Sequence, residues 1–204
     1  MPDIVHDGVV ITESDEILAY LEESFAEPGF TPQGSEARAD MERWVRMSTE
    51  MHMDAVKTYV YGSTGGASKN ANEIDRYERL VADRKLVEFH KKSLNGFSAE
   101  EVEGAAALLR DLFAQMEAAL AKHSYLVGDH YTLADIAWLP QHVLLRIIGF
   151  DMRSFPNVNA WAARLAKRPA YDRAIRAWMP RIPGWMMRPM IRGLGLLRRV
   201  GIRA

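Results

Sequence analysis

The N-terminal stretch constrains the fold most, because its hydrophobic spacing changes from a strand period to a helix period within a few residues. Two short runs rich in Val and Ile, residues 3–6 and 9–12, flank the pair Asp7-Gly8. An Asp-Gly pair supplies the positive φ angles of a two-residue hairpin turn, so the pattern predicts two antiparallel strands. Apolar residues then recur at helical spacing behind Ser14, which predicts that a helix begins there. Because two strands alone are marginally stable in water, this β-β-α unit needs a packing partner.

Everything after a short linker is predicted to be helical. The linker, residues 26–34, contains two prolines and two glycines, which favour irregular structure. Apolar residues from Ser35 onward keep helical spacing and predict one long helix that ends at Gly62. A single charged helix is expected next, and the Asn95-Gly96 pair marks its C-terminal cap.

The following helix is indicated by a capping box at residues 98–101 and is expected to reach Lys122. The run that opens with Thr132-Leu-Ala-Asp135 is apolar on nearly every side, as expected of a buried core helix. Thr132 and Asp135 are predicted to cap that helix and so to be structural. Pro140 lacks a backbone donor and predicts a kink in it. Two shorter helices are predicted behind it, over residues 156–167 and 170–178.

The composition is that of an ordinary globular protein and excludes several function classes. The 204 residues are 48% hydrophobic and 26% charged, with a net charge of −1. A nucleic-acid-binding protein would carry a large basic excess, so that class is disfavoured. The chain has no cysteine, which excludes disulfides, thiolate metal ligands and a cysteine nucleophile. Its histidines lack metal-ligand spacing, and neither a signal peptide nor a long apolar run is evident, so a cytoplasmic soluble protein is expected.

The segment 181–204 differs from the rest of the chain. It contains six arginines and no acidic residue, together with many Met, Leu and Ile residues. Such a segment can pack over a core, remain disordered or lie on a membrane surface. Glycines at 193, 195 and 201 weaken any long helix in it, which favours packing or disorder over membrane contact.

Three motifs, in order along the chain, resemble those of the glutathione transferase family. Residues 1–21 resemble its hairpin-to-helix segment, with an Asp-Gly turn and a Glu-Ser pair before the helix. Residues 125–136 resemble the family's Tyr-Leu-x-Gly and Thr-x-Ala-Asp-Ile signature, and residues 155–169 its Phe-Pro to Arg-Pro ending. The resemblance covers residues 1–178. The charged connection that ends at residues 95–97 looks most like bacterial transferases of the lignin β-etherase type.

The resemblance implies a mostly α protein that combines a truncated thioredoxin-like β-β-α unit with an all-helical glutathione transferase C-terminal domain. The expected divisions are a partial N-terminal domain over residues 1–25, a linker over 26–34, the helical domain over 35–180 and the basic tail over 181–204. In the family, the first strand, helix and second strand precede the proline that Pro2 matches. The first half of the thioredoxin-like domain is therefore expected to be missing. That half carries the Ser, Tyr or Cys that activates the thiol in the family, so the catalytic residue is unknown.

The resemblance also implies that glutathione is the cosubstrate and that Met1, Pro2, Glu13 and Ser14 hold it. Pro2 matches a cis-proline that turns the backbone of Met1 toward the cysteinyl group. Glu13 would pair with the ligand's ammonium, and Ser14 would help to hold its γ-glutamyl carboxylate at a helix N-terminus. The ordinary alternatives are a loose terminus at Pro2 and a simple N-cap at Ser14.

The resemblance implies that a hydrophobic electrophile binds beside Trp44, Met47, Met51 and Tyr59. A stripe of Met and aromatic residues at helical spacing is, however, more often part of a core. The implied activity is attack of the glutathione thiolate on an electrophilic carbon, which displaces a leaving group such as an aryl ether oxygen. The implied biological role is detoxification. No metal is needed, and the expected assembly is a homodimer. The alternative is a non-catalytic binding or scaffold module with the same fold.

Overall fold

The computed structural model describes residues 3–25, 29–65 and 69–179. Met1, Pro2 and the basic segment 181–204 lie outside this part of the chain, so the predictions made for them stay predictions.

The described part of the chain is mostly helical, which confirms the predicted fold class. It contains two strands, nine α-helices, one π-helical turn and one 3-10 turn. The elements are β1 (Asp3–His6), β2 (Val9–Thr12), α1 (Ser14–Ser24), α2 (Ser35–Met51), the π-helical turn (His52–Lys57), α3 (Thr58–Thr64), α4 (Ala71–Leu80), α5 (Arg84–Asn95), α6 (Ala99–Leu120), α7 (Leu133–Ile148), α8 (Pro156–Leu165), α9 (Pro169–Ala174) and the 3-10 turn (Arg176–Trp178).

The chain divides into two compact units, and each is built from segments distant in sequence. Among the described residues, the first unit comprises 3–25, 29–52, 111–144 and 151–179, and the second comprises 53–65, 69–110 and 145–150. The domain boundaries drawn from the sequence stay a prediction.

The hairpin forms as predicted. Its strands pair antiparallel, with Val5 opposite Val10, and the turn residues Asp7 and Gly8 have φ angles of 49° and 80°. Positive φ at both central positions is the signature of the turn that the Asp-Gly pair predicted. Val5 and Val10 are 68% and 62% exposed on one face of the sheet, whereas Ile11 on the opposite face is only 9% exposed.

A side-chain hydrogen bond joins the hairpin to α1. His6 Nδ1 and the Tyr20 hydroxyl lie 2.7 Å apart, and the His6 ring also packs against Phe25, with ring centroids 5.6 Å apart. These contacts fix the direction in which the chain enters α1. Sequence reasoning treated Tyr20 only as part of an apolar stripe and missed this role.

Several of the predicted helices have different bounds in the structure. The helix predicted over 170–178 ends at Ala174 and is followed by a 3-10 turn. The long helix continues through the π-helical turn to Thr64, and Gly65 ends it with a left-handed φ of 62°. The prediction of one charged helix before Gly96 was wrong, because this region forms α4 and α5. The Asp83 side chain accepts a hydrogen bond from the Leu86 backbone N–H at 3.1 Å, and this N-cap starts a new helix.

The buried core of the first unit lies along α7, as predicted from its apolar character. Trp138 is 0% exposed, and its Nε1 donates to the Trp44 carbonyl at 2.9 Å. One turn further along, Gln141 Nε2 donates to the Ser48 carbonyl at 3.0 Å. These two bonds satisfy buried donors and fix α7 against α2. Pro140 lies inside α7.

A close approach between α3 and α6 in the second unit requires a glycine at position 62. A Cβ added to Gly62 would lie 2.1 Å from Val102 Cγ2. We therefore expect Gly62→Ala to lower the free energy of unfolding by about 1–3 kcal/mol through overpacking. Urea denaturation measures the change.

Val102→Ala in the Gly62→Ala background should recover part of the loss, because it removes the clashing methyl group. Gly104→Ala is the matched control, since nothing lies within 4 Å of its added Cβ. Gly104 lies inside α6, where alanine favours the helix, so its stability should stay equal or rise. Equal stability of Gly62→Ala and the original chain would contradict the close approach.

Candidate functional site

The N-terminus of α1 has a strained entry. Glu13 is the N-cap residue, with φ 63° and ψ 137°, and such a positive φ is uncommon outside glycine. Its carbonyl accepts the first helical hydrogen bond, from the Ile17 N–H at 2.9 Å. Strained non-glycine backbone of this kind clusters at ligand sites. Sequence reasoning selected Glu13 by resemblance and had no signal for the strain.

Ser14 is the first helical residue and is exposed, with Glu13 before it at the N-cap. No side chain in the described part of the chain caps α1, so the simple N-cap considered for Ser14 is not what the structure shows. The first N–H groups of a helix lack intrahelical partners and attract a carboxylate. The end of α1 can therefore bind an anion, with the Ser14 hydroxyl beside it.

Carboxylates close to this helix end can bind a cationic group. Glu13 is half-buried, and Asp15 and Glu16 occupy the first turn of α1. The Oδ1 atom of Asp15 is buried, with no hydrogen-bond partner among the described residues. An anion site next to these carboxylates suits a zwitterionic amino acid group, which carries a carboxylate and an ammonium. Sequence reasoning missed Asp15.

A cleft of about 670 Å³ lies between α1 and α2. Its apolar lining includes Met41, Val45 and Leu133. Carboxylates from both helices and the guanidinium groups of Arg38 and Arg46 also line it. Glu22 Oε1 accepts hydrogen bonds from the backbone N–H groups of Phe30 and Thr31, both at 2.7 Å. These bonds hold the chain that leaves α1 against that helix.

The four predicted substrate-binding residues lie in different surroundings. Trp44 is 2% exposed and packs edge-on against Trp138, so it forms part of the core. Met47 and Met51 are half-buried on α2. Tyr59 is half-buried on α3, with its ring edge-on to Phe150 at 5.3 Å between centroids. That these four residues line one substrate site stays a prediction.

Asp135 is the centre of a buried hydrogen-bond network that links the two C-terminal motifs. Its carboxylate accepts from the Leu126 N–H at 3.1 Å, the Thr132 N–H at 2.9 Å and Trp161 Nε1 at 2.7 Å. The residue is 0% exposed, and this burial raises the pKa of its carboxyl group, while the hydrogen bonds act in the opposite direction. The predicted pairing with Thr132 is present, but the sequence did not reveal the bond to Trp161.

Glu117 makes a second long-range connection in the same unit. Its carboxylate accepts from the backbone N–H groups of Asn157 and Val158, both at 3.0 Å, and from Asn157 Nδ2 at 2.7 Å. The side chain thus caps α8 from α6, a role that favours a negative charge at the helix N-terminus. Nothing in the local sequence indicated it.

Neither a metal cluster nor a membrane-spanning helix is found in the part of the chain that the structure describes. Across residues 3–25, 29–65 and 69–179, no group of three or more His, Cys, Asp or Glu side chains could hold a metal ion. Within those same ranges, no helix is both long enough and apolar enough to cross a bilayer.

Two comparisons with known proteins identify the family. The family model described as glutathione S-transferase, C-terminal domain, matches residues 70–169. Protein LigF of Sphingobium sp. (strain NBRC 103272 / SYK-6) is 31% identical over 183 residues, which cover 83% of this chain and 71% of LigF. The chain therefore belongs to the glutathione transferase family.

Solved structures agree with this assignment. The crystal structure of β-etherase LigF from Sphingobium sp. strain SYK-6 matches with a TM-score of 0.69 at 27% identity, over 87% of this chain and 78% of that one. A theta class glutathione S-transferase from Xanthomonas axonopodis pv. citri, solved with glutathione bound, shares the fold with a TM-score of 0.64 at 23% identity, over 86% and 72% of the two chains.

A more distant relative is much longer than this chain. The transcriptional regulator URE2 of Saccharomyces cerevisiae is 25% identical over 189 residues, which are 83% of this chain but 51% of URE2. The chain thus spans about half the length of this curated relative.

Proposed function

We propose that this protein binds glutathione at the N-terminus of α1 and acts as a glutathione transferase. The observation that carries the proposal is the strained Glu13 at a helix end that no described side chain caps. Rigid strained backbone costs stability, and a ligand site is where such a cost is commonly retained. LigF, named as a β-etherase, supports the family activity.

In this proposal, glutathione is held by its polar ends. Its γ-glutamyl carboxylate accepts from the first N–H groups of α1 and from the Ser14 hydroxyl, while Glu13 pairs with its ammonium. We propose Asp15 as a further acceptor, because its buried Oδ1 has no hydrogen-bond partner among the described residues. Met1 and Pro2 contact the cysteinyl backbone, as the family resemblance implies.

The reaction proposed is a substitution at an electrophilic carbon. The glutathione thiolate forms the new carbon–sulfur bond, and the leaving group departs with its electron pair and takes a proton from solvent. Trp44, Met47, Met51 and Tyr59 are the residues proposed on the electrophile side, as the family resemblance implies. The proposed substrate is a hydrophobic electrophile such as an aryl ether. The proposed assembly is a homodimer in the cytoplasm.

A second candidate function is a glutathione-binding module without catalysis. The relative named as a transcriptional regulator favours it. Binding of glutathione without turnover of any aryl ether or halide would support this candidate over the transferase.

Isothermal titration of glutathione tests the site directly. We expect the chain to bind glutathione. Ser14→Ala removes a hydrogen bond to the ligand's carboxylate, and Glu13→Gln removes the charge that pairs with its ammonium. Each loss of about 1.5–3 kcal/mol should raise the dissociation constant about 10- to 150-fold. Thermal melting should change little, because neither side chain caps the helix.

Ser24→Ala is the matched control for Ser14→Ala, because Ser24 is exposed at the other end of α1 and is not among the residues that line the cleft. Its affinity should equal that of the original chain. Absence of glutathione binding, or equal binding by Ser14→Ala, would contradict the proposed site.

A further inference from the structure

Charge is distributed very unevenly along this chain. Residues 161–204 contain eleven Lys and Arg residues but one acidic residue, Asp172, which gives this stretch a net charge of +10. The whole chain carries −1, so residues 1–160 carry −11. Such an asymmetry is typical of a region that binds a polyanionic surface.

The described part of this basic region is the surface formed by residues 164–178, here called the basic corner. It comprises the end of α8, helix α9 and the 3-10 turn. The guanidinium group of Arg176 holds these elements together, since it donates to the Ala166 carbonyl at 3.4 Å and pairs with Asp172 at 2.6 Å. The one acidic residue of the basic corner is therefore already paired.

Aromatic rings orient two arginines of the basic corner. The guanidinium carbon of Arg168 lies 3.8 Å from the centroid of the Tyr131 ring. That of Arg164 lies 5.6 Å from the centroid of the Tyr125 ring, and Arg164 also donates to the Ser124 carbonyl at 2.5 Å. Contact with an aromatic face holds a guanidinium group in place without cancelling its charge.

Four cations of the basic corner have no carboxylate partner in the described part of the chain. Lys167 and Arg173 are exposed. Neither they nor Arg164 and Arg168 form an ion pair with a described residue. The basic corner therefore presents positive charges that an anionic surface can neutralise.

An exposed tryptophan follows these charges in the chain. Trp178 ends the 3-10 turn and is 83% exposed, the largest exposed fraction among the large apolar side chains of the described residues. Trp is enriched where a membrane meets water, because its ring is apolar while its N–H is polar. Lys and Arg combined with an exposed Trp are typical of a surface that binds at this interface.

The basic segment 181–204 continues the same chemistry. It contains six arginines, no acidic residue and eleven large apolar residues of the types Ile, Leu, Met, Val and Trp. Its composition alone favoured packing or disorder. The unpaired cations and the exposed Trp178 directly before it favour a membrane surface instead. A nucleic acid would bind the cations through its phosphates but would gain little from so many aliphatic side chains.

We propose that the basic corner, together with the basic segment 181–204, binds the surface of an anionic lipid bilayer. The Lys and Arg side chains bind the phosphate and carboxylate groups of the lipids, and Trp178 inserts at the boundary between headgroups and acyl chains. This contact is peripheral and requires no spanning helix. It does not depend on the proposed glutathione site.

Sedimentation of the full chain with lipid vesicles tests the proposal. Vesicles of phosphatidylcholine with about 30% phosphatidylserine supply the anionic surface, and vesicles of phosphatidylcholine alone are the control. We expect binding to the anionic vesicles to be at least about tenfold stronger and to weaken as salt is added. Equal binding to the two kinds of vesicle, or binding to neither, would overturn the proposal.

A pair of charge reversals tests the basic corner itself. Lys167→Glu combined with Arg173→Glu should weaken binding to the anionic vesicles at least about tenfold. The matched control is Arg76→Glu combined with Arg79→Glu, which makes the same change in net charge at two exposed residues of α4 and should retain most of the binding. Equal binding by the first variant and the original chain, or an equal loss in both variants, would contradict docking through the basic corner.

Trp178→Ala distinguishes a bilayer from a nucleic acid. Loss of the indole ring should weaken vesicle binding at least about fivefold. Leu80→Ala removes another large apolar side chain, 72% exposed at the end of α4, and should leave vesicle binding unchanged. Unchanged vesicle binding by Trp178→Ala would overturn the proposal. A short DNA duplex that binds more tightly than the anionic vesicles would also overturn it and would assign the surface to nucleic acid.

Discussion

Replacing Asp135 with Ala is expected to lower the free energy of unfolding by about 3–5 kcal/mol, the largest loss of any single substitution considered. The carboxylate is fully buried and accepts from Leu126, Thr132 and Trp161. Its removal leaves buried N–H groups without an acceptor, and each such group costs about 1–3 kcal/mol. For a chain of this size the melting temperature should fall by on the order of 10 °C.

Two further variants separate this network from a general effect of removing a charge. Asp135→Asn keeps one acceptor oxygen but turns an amide donor toward other donors, so its loss should be smaller than that of alanine. Asp111→Ala removes an exposed carboxylate on α6 and should change stability by less than about 0.5 kcal/mol. An unchanged melting temperature for Asp135→Ala would contradict the structural role.

Acidification from pH 6.5 to about 4 is expected to destabilise the protein through His90 by up to about 3 kcal/mol. Burial, followed by the charges of Lys69 and Lys57, lowers the pKa of His90 from 6.5 to about 4. The side chain is 3% exposed and its ring packs edge-on against Tyr77. His90 is therefore protonated below pH 6.5 in the unfolded chain, but only below about pH 4 in the folded chain.

The sign of the effect follows from this difference in proton binding. Stability conferred by neutral His90 is fully present above pH 6.5 and decreases as the pH falls toward 4. His90→Gln should flatten the curve of unfolding free energy against pH between about pH 4 and 6.5, measured by urea denaturation. This change of slope is expected whatever the variant's stability at pH 7. His130→Gln, at an exposed histidine, should keep the original slope. A slope unchanged in His90→Gln would refute the assignment.

Local signals in the sequence predicted local structure well. The Asp7-Gly8 turn and the capping box at Ser98 and Glu101 both form as expected. Each depends on backbone angles or on bonds between residues three positions apart, so the information lies within the segment itself. The break between α4 and α5 was missed, because this region was predicted as a single charged helix although Asp83 within it is a good N-cap.

The candidate site shows the same division. Resemblance selected Glu13 and Ser14, and the position of Ser14 at the start of a helix was predictable from its apolar spacing. The strain at Glu13 and the buried oxygen of Asp15 were not. The strain at Glu13 is seen only in its backbone angles, and the burial of the Asp15 oxygen is seen only in the packing of the folded chain.

The order of residues was enough to predict the hairpin, the start of α1, the buried character of α7 and the family resemblance. Which polar groups meet inside the protein is known only from the way the helices pack. Trp161 reaches Asp135 across 26 residues and Asn157 reaches Glu117 across 40. Turns and caps are set by short-range sterics and neighbouring hydrogen bonds. These distant pairs are instead brought together by packing of the apolar helix faces. Because packing buries them, each of their polar groups must find a hydrogen-bond partner.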